Sequence, residues 1–414
     1  MTAADDRARF ADVIVVAAGG SSRMGGIDKR LAPLAGRPLL ARTIDALAAS
    51  PAVARIVLVM GPGPALEAIR PLLPDPVLAI VPGGNHRGAS VAAGLDALAR
   101  LDGTSADPDR IVLVHDGARP LVDPSLVTAV AEAAALHGAA IPVVPVADTL
   151  RRIEGEELGT VVERDGLVGA QTPQGARIGL LRAAFERFPA AGPERFTDEA
   201  ALLMACTIRV HPIPGDPVNL KVTLPADLAR AEAAFAARLE RRTGQGRDSH
   251  PFGPGEPLRL GGIEIAGAPR LYGHSDGDAA LHAIADGLLG AAAMGDLGRR
   301  YPADATTPRG ISSRDLLAGV LDVMRGAGWR PESVDLTITG ARPRLAGHLD
   351  RMRDAIAGLL GLDAMAVGVK ASTGNLDGAA GAGRVIAAEA VVTIARDSVL
   401  AGSASRVRAG PGQA

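Results

Sequence analysis

Apolar positions in the first half of the chain come in short unbroken runs: VIVV at 13–16, IVLVM at 56–60, VLAIV at 77–81, IVLVHD at 111–116 and AAIPVVPV at 139–146. None alternates with polar residues, and helical stretches separate them at about 39–49, 89–100 and 124–137. Strands apolar on both faces, with helices between them, predict an α/β domain whose mostly parallel, Rossmann-like sheet is covered on both sides. Ligands of such sheets sit beyond the carboxyl ends of the strands, and the glycine-rich stretches of this chain fall at those ends. Residues 151–167 read instead as a charged hairpin. Residues 225–242 read as an amphipathic helix with Leu228, Ala231, Phe235 and Leu239 at helical spacing. Thr243-Gly244-Gln245-Gly246 then breaks the pattern. A first domain over 1–242, a linker over 243–246, a smaller α/β domain over 247–397 and a disordered tail over 398–414 are therefore expected.

Composition narrows the class. A chain of 414 residues suits two cores rather than one, and with 47% hydrophobic but 2% aromatic residues those cores must be built from Ala, Val, Leu and Ile. The 44 basic and 46 acidic residues nearly balance, and no basic block follows a polyanion, which disfavours nucleic acid as a partner. No apolar run approaches 18 residues and the first residues lack a secretory pattern, so a cytoplasmic protein without a membrane partner is expected. The single cysteine, Cys206, excludes an intrachain disulfide and a cysteine-built metal site; its neighbours Leu202, Leu203 and Met204 suggest a core position.

Candidate chemistry begins where the first strand ends, at Ala17-Ala18-Gly19-Gly20-Ser21-Ser22-Arg23-Met24-Gly25. Small residues leave backbone amides uncovered there, and Arg23 and Lys29 add two cations, which suits a triphosphate. The loop fits neither G-x-x-x-x-G-K-[ST] nor G-x-G-x-x-G, and glycine-rich strand-to-helix turns alone serve many ligands. Gly83 and Gly84 follow the third strand, and Ser90 opens the next helix, whose N-terminus offers donors; a plain turn is the competing reading. Asp116 stands at a strand tip with Arg119 three residues on, fit for Mg²⁺ or a substrate hydroxyl and for a phosphate, or simply for a structural ion pair.

The order AAGG…R-M-G…D-K-R-L, then Asp148-Thr149-Leu150, Arg164, Gln171-Thr172-Pro173-Gln174, Thr197-Asp198-Glu199 and Gly215-Asp216 through Lys221 resembles the 2-C-methyl-D-erythritol 4-phosphate cytidylyltransferases over about 225 residues. The resemblance implies CTP and methylerythritol phosphate as substrates, Mg²⁺ as cofactor, and a dimer joined by the hairpin. It gives Arg23 and Lys29 the triphosphate and the charge that builds on the α-phosphate in the transition state. Ala17, Ala18, Gly83, Gly84 and Ser90 would read cytosine and ribose. Asp116 and Asp216 would handle Mg²⁺ or the substrate diol and Arg119 a phosphate, while Thr149, Arg164, Thr172 and Lys221 would grip the methylerythritol phosphate and position its oxygen. Ser21 and Asp28 depart from the usual glycine and proline of the loop.

A second site starts at Arg247-Asp248-Ser249-His250, where period-two alternation puts Asp248 and His250 on one face of a strand. In Gly273-His274-Ser275-Asp276-Gly277-Asp278, Asp278 lies one helical turn before His282. One carboxylate and two imidazoles make a three-ligand set for Zn²⁺ or a similar divalent ion, with a position left for substrate oxygen. The pattern D-S-H…G-H-S-D-G-D-A-x-x-H-A resembles the 2-C-methyl-D-erythritol 2,4-cyclodiphosphate synthases over 246–396, which implies a mixed sheet with helices, a trimer, and Mg²⁺ besides the bound ion. By that resemblance Asp248, His250 and His282 ligate the metal, and His274, Ser275 and Thr373 hold phosphate. Asp296 and Gly298 take the erythritol hydroxyls of CDP-methylerythritol 2-phosphate, and Ala341 through Leu345, Arg344 among them, the cytosine. Asn375 stands where a glutamate ligand to Mg²⁺ is usual.

The sequence therefore reads as a bifunctional enzyme of the non-mevalonate isoprenoid pathway whose two reactions are not consecutive. The alternatives are a second domain that only oligomerises a working transferase, and a first domain that uses a sugar 1-phosphate.

Overall fold

The computed structural model describes residues 9–20, 24–26, 28–103, 107–304 and 306–399. Arg23, Ser21 and nearly all of the expected tail lie outside the described residues. The chain divides after Arg238, and a second compact unit begins at Leu239. No helix among the described residues is long and apolar enough to cross a membrane.

The first unit is built on an eight-stranded sheet. Ala11–Val16 lies between Val53–Val59 and Ile111–Asp116, parallel to both, and Val77–Val81 pairs in parallel outside Val53–Val59. The other half is mixed: Gln174–Arg177 runs antiparallel to Ile111–Asp116, and His211–Pro214 runs parallel to Ala139–Pro145. Val13, Ile14, Val57, Leu58, Leu113 and Val114 are buried on both faces of these strands, which is why their runs show no polar alternation. Val16 is level with both Val59 and Asp116, and Val59 with Val81. Four strands thus end in one row, and the loops at Ala17, Met60, Pro82 and Gly117 leave from it.

Helices fill the intervals close to where periodicity puts them, at Leu39–Ala48, Arg87–Asp102 and Pro124–His137. The last has Pro124 at its first turn, and Asp123 accepts the Ser125 N–H at 2.8 Å, a standard start signal. The charged hairpin is present as Leu150–Glu154 paired with Glu157–Val162, largely solvent-exposed.

The second unit has a four-stranded sheet in the order Leu239–Pro251, Val385–Asp397, Arg330–Thr339, Val367–Ser372, antiparallel except for the last pair. Here the expected boundary is corrected. The helix Pro225–Ala237 stops short of Arg242, and residues 243–246 are not a linker but the middle of the strand Leu239–Pro251. The glycines are there for close packing. A Cβ on Gly244 would stand 2.1 Å from Gly287 O, and one on Gly246 2.0 Å from Ala283 O, so the helix Ala279–Ala291 lies directly on this strand.

Candidate functional site

Where the four strands end, the first unit opens a cavity of about 310 Å³ lined by Ala17, Ala18, Gly84, Ser90, Asp116 and Lys221, with Lys29, Arg30 and Arg87 also on its wall. Gly83 lets two loops touch: a Cβ there would meet Ala18 Cβ at 2.2 Å and Ser90 Oγ at 2.8 Å. The Gly84 N–H donates to Ser90 Oγ at 3.2 Å, and Ser90 donates to His86 O at 3.2 Å, so this hydroxyl braces its own loop.

Asp116 is the electrostatic centre. Lys221 Nζ lies 2.9 Å from its Oδ2, Arg119 Nε 3.7 Å from the same oxygen, and Arg87 Nε 3.4 Å from Oδ1. Burial alone would push this carboxyl up, but Lys221, Arg87 and Arg119 outweigh it and hold it well below the usual carboxylate range. Beneath it, the Asp116 N–H donates to Thr172 Oγ1 at 3.1 Å, and Thr172 Oγ1 lies 3.2 Å from His115 Nδ1. His115 Nε2 faces the Arg119 carbonyl at 3.3 Å. Because that carbonyl only accepts, Nε2 carries the proton and Nδ1 takes the threonine hydroxyl. Burial pushes the His115 imidazole down to about 4, so it is neutral at pH 7.

In the second unit Asp248 Oδ2, His250 Nε2 and His282 Nδ1 converge, with separations of 2.7, 2.9 and 3.3 Å. One separation equals, and two fall short of, the edge of a tetrahedral site, about 3.3 Å for ligand bonds of about 2.0–2.1 Å, so an ion would spread the three atoms slightly. Asp248 and His250 project from one strand at alternate positions, as period two requires, and His282 comes from the helix Ala279–Ala291. The His250 Nδ1 donates to Tyr272 O at 2.8 Å, so an ion that displaces the proton Nε2 shares with Asp248 would meet the Nε2 lone pair. Burial would raise the Asp248 carboxyl, but its hydrogen bonds with His250 and His282 hold it well below the usual range. Three donors in this arrangement fit a divalent cation. Asp278 is not one of them: it caps the helix and accepts the N–H groups of Gly261, Gly262 and Leu281 at 2.8, 2.7 and 3.1 Å.

Residues 11–237 match the family described as 2-C-methyl-D-erythritol 4-phosphate cytidylyltransferase (IspD), and residues 241–395 match the YgbB family. The bifunctional enzyme IspD/IspF of Anaeromyxobacter dehalogenans is 41% identical over 390 residues, covering 92% of this chain and 97% of that protein. Its counterpart from Desulforudis audaxviator is 42% identical over 395 residues, covering 92% and 96%. The chain belongs to the bifunctional IspD/IspF family. The solved structure of the bifunctional IspDF from Campylobacter jejuni is 27% identical and covers 93% of this chain and 98% of its own, with a TM-score of 0.43.

Within this IspD/IspF chain the structure gathers Ala17, Ala18, Lys29, Gly84, Ser90, Asp116 and Lys221 at one cavity, with Gly83 packed against Ala18 and Arg119 against Asp116. Thr172 is buried beneath the strand tip and bonded to His115 and Asp116, away from the cavity lining. Asp216 accepts the Val218 N–H of its own turn at 2.8 Å. Thr149 and Arg164 stand exposed on the hairpin arm, where Arg164 donates to Ala147 O. Of the second set, Asp248, His250, His282 and Ser275 come together. Ser275 is buried, its Oγ accepting the Gly277 N–H at 3.1 Å and lying 3.2 Å from His282 Nε2. His274 Nε2 donates to Thr307 O at 2.7 Å. Asp296 caps the short helix Leu297–Arg300, of which Gly298 is part, while Ala341, Arg344 and Thr373 are exposed.

Sequence reasoning missed Arg87 and its partner Glu199, a pair of one half-buried and one buried residue 112 positions apart, and Gln171, whose amide exchanges two hydrogen bonds with the Asp216 backbone at 2.8 and 3.1 Å. The helix-start pattern Asp198-Glu199 was visible; its distant arginine was not.

Proposed function

We propose that the first unit transfers the cytidylyl group of CTP to 2-C-methyl-D-erythritol 4-phosphate. The second unit, in this reading, closes the cyclodiphosphate of CDP-methylerythritol 2-phosphate and releases CMP. In the first reaction a phosphate oxygen of the alcohol phosphate bonds to the α-phosphorus of CTP while the bond to pyrophosphate breaks. The observation that carries it is the glycine-floored cavity with Lys29 and Lys221 on its wall and Asp116 fixing Lys221. Cations held there in advance meet the charge that builds on the α-phosphate without reorganising. Arg23 belongs to the same set by its place in the motif. Backbone at Ala17 and Ala18, with Gly83 and Gly84 opposite, leaves room for base and ribose. Thr172 acts from below, keeping Asp116 in register.

Asp116 is committed to three cations and Asp216 to its own turn, so these carboxylates as they stand do not fit an Mg²⁺ site. Thr149 and Arg164 reach a substrate only if the arm does. Its exposed Ile153 (76%), Leu158 (73%) and Val161 (55%) suit burial against a second copy, which supports the expected dimer.

In the second unit Asp248, His250 and His282 would hold a divalent ion, read as Zn²⁺ from the donor set. Such an ion supplies Lewis-acid polarisation of a diphosphate. The protein's part is alignment: the 2-phosphate oxygen must lie in line with the bond to CMP, an intramolecular step in which positioning lowers most of the barrier. His274, Asp296, Ala341, Arg344 and Thr373 are assigned to substrate groups by motif, with sites completed between copies in a trimer.

Assaying both half-reactions in Lys29→Ala and Asp248→Ala tests this. Lys29→Ala is expected to slow pyrophosphate release by about 100- to 1,000-fold while CMP release continues, and Asp248→Ala to abolish CMP release alone. Absence of CMP release from the wild type would favour the oligomerising scaffold. Faster turnover of hexose phosphates than of methylerythritol phosphate would favour the sugar nucleotidyltransferase.

A further inference from the structure

Resting on the divalent-ion reading of the second unit, we propose that Ser313 and Asp276 are positioning residues that fix the tautomer of His282, so that its Nδ1 lone pair faces the metal. His282 and His250 present different nitrogens to the shared position: His250 offers Nε2 and His282 offers Nδ1. The His250 tautomer is set by a backbone carbonyl, which can only accept. His282 has no carbonyl at its far nitrogen. Its Nε2 faces two hydroxyls, Ser313 Oγ at 2.9 Å and Ser275 Oγ at 3.2 Å.

A hydroxyl can donate or accept, so by itself it leaves an imidazole free to choose. Ser313 is not left to itself. Its hydroxyl donates to Asp276 Oδ1, and its backbone N–H donates to the same oxygen at 3.1 Å. Arg259 Nη1 lies 3.7 Å from the other oxygen of Asp276. With its proton committed to a carboxylate, the Ser313 oxygen turns a lone pair toward His282, and Nε2 must carry the hydrogen. Ser275 already accepts the Gly277 N–H, which leaves Ser313 the nearer acceptor with a fixed role. The chain His282 Nε2–H to Ser313 to Asp276 therefore does for one imidazole what the Tyr272 carbonyl does for the other. Ser313 is buried and the Asp276 side chain is 8% exposed, which limits competition from water for these bonds. Outer partners of this kind typically change metal affinity by about 10- to 100-fold when removed.

The full chain, stripped of metal and titrated with Zn²⁺ alone against a chromophoric chelator, gives the readout. Ser313→Ala is expected to weaken Zn²⁺ binding by about 10- to 100-fold. Imidazole ¹⁵N spectra of the Zn²⁺-loaded chain, where the ion replaces the Nδ1 proton shared with Asp248, should show the His282 Nε2–H protected from solvent exchange in wild type and exchanging faster in Ser313→Ala. Should Ser313→Ala lose the cooperative unfolding seen by Trp329, Ser313→Cys keeps the volume, puts a weak acceptor in place of the hydroxyl and carries the same expectation. A Kd within two-fold of wild type, with the His282 Nε2–H of the Zn²⁺-loaded chain equally protected, overturns the relay alone. A wild-type chain that takes up no Zn²⁺ overturns the metal reading and the relay with it.

Discussion

Acidification from pH 7 toward pH 4 is expected to loosen the first unit through one imidazole, that of His115. Burial, its chief cause, depresses this group from the ordinary value of 6.5 to about 4. In that interval the unfolded chain binds a proton that the native chain does not, so stability rises with pH across it. The contribution is therefore complete above pH 6.5, lost as the pH falls toward 4, and constant below. At 1.36 kcal/mol per pH unit the loss amounts to about 3 kcal/mol. The geometry says what breaks: a protonated Nδ1 cannot accept the Thr172 hydroxyl, and Thr172 is the group that accepts the Asp116 N–H. Urea unfolding by far-UV circular dichroism at pH 7.0, 5.5 and 4.5 measures the slope, with Trp329 fluorescence recording the second unit separately. Carboxylates elsewhere titrate in the same range, so the comparison is with His115→Gln, which keeps a polar side chain and lacks the proton site. The variant should lose about 2.4 kcal/mol less than wild type between pH 7.0 and 4.5. Parallel slopes, within about 0.5 kcal/mol, would refute the assignment of a buried neutral imidazole.

Two further outcomes follow from the second unit. Gly246→Ala puts a methyl group 2.0 Å from Ala283 O and 2.4 Å from Gly287 N, both backbone atoms, so helix and strand must separate. A loss of at least about 1–3 kcal/mol is expected in urea melts followed by Trp329 fluorescence, and an unchanged midpoint would contradict the contact. Asn375 has φ +47°, in the left-handed region that asparagine tolerates better than glutamate does. Asn375→Glu should therefore lower stability by roughly 1 kcal/mol while Asn375→Gly leaves it nearly unchanged, and a stabilising glutamate would show that the turn does not dictate the residue.

The parallel half of the first sheet was legible because its three central strands are buried on both faces, and burial on both faces writes itself as an unbroken apolar run. The metal set was legible for a related reason: period two along a strand needs only local spacing to bring Asp248 and His250 together. Three aspartates near His282 made the choice of carboxylate less local. Asp278 has the right spacing on the helix, yet Gly261 and Gly262 take both its oxygens. Gly244 and Gly246 failed as boundary markers because a glycine in sequence looks the same whether it frees the backbone or admits a helix from 40 residues on.

The same limit applies to two hydroxyls. Thr172 and Ser275 occupy motifs read as substrate ligands, and in each case the hydroxyl also lies within hydrogen-bond reach of a histidine, His115 or His282. Local pattern tells which polar atoms a loop supplies. It does not tell which of them the fold will spend on one another, and at both sites that expenditure fixes the atoms that remain. Thr172 fixes Asp116 for Lys221, and Ser313 fixes His282 for the ion. A loop residue that looks like a substrate ligand is therefore better tested first for a buried imidazole or carboxylate behind it, since the supporting bond decides whether the front of the site is set before any ligand arrives.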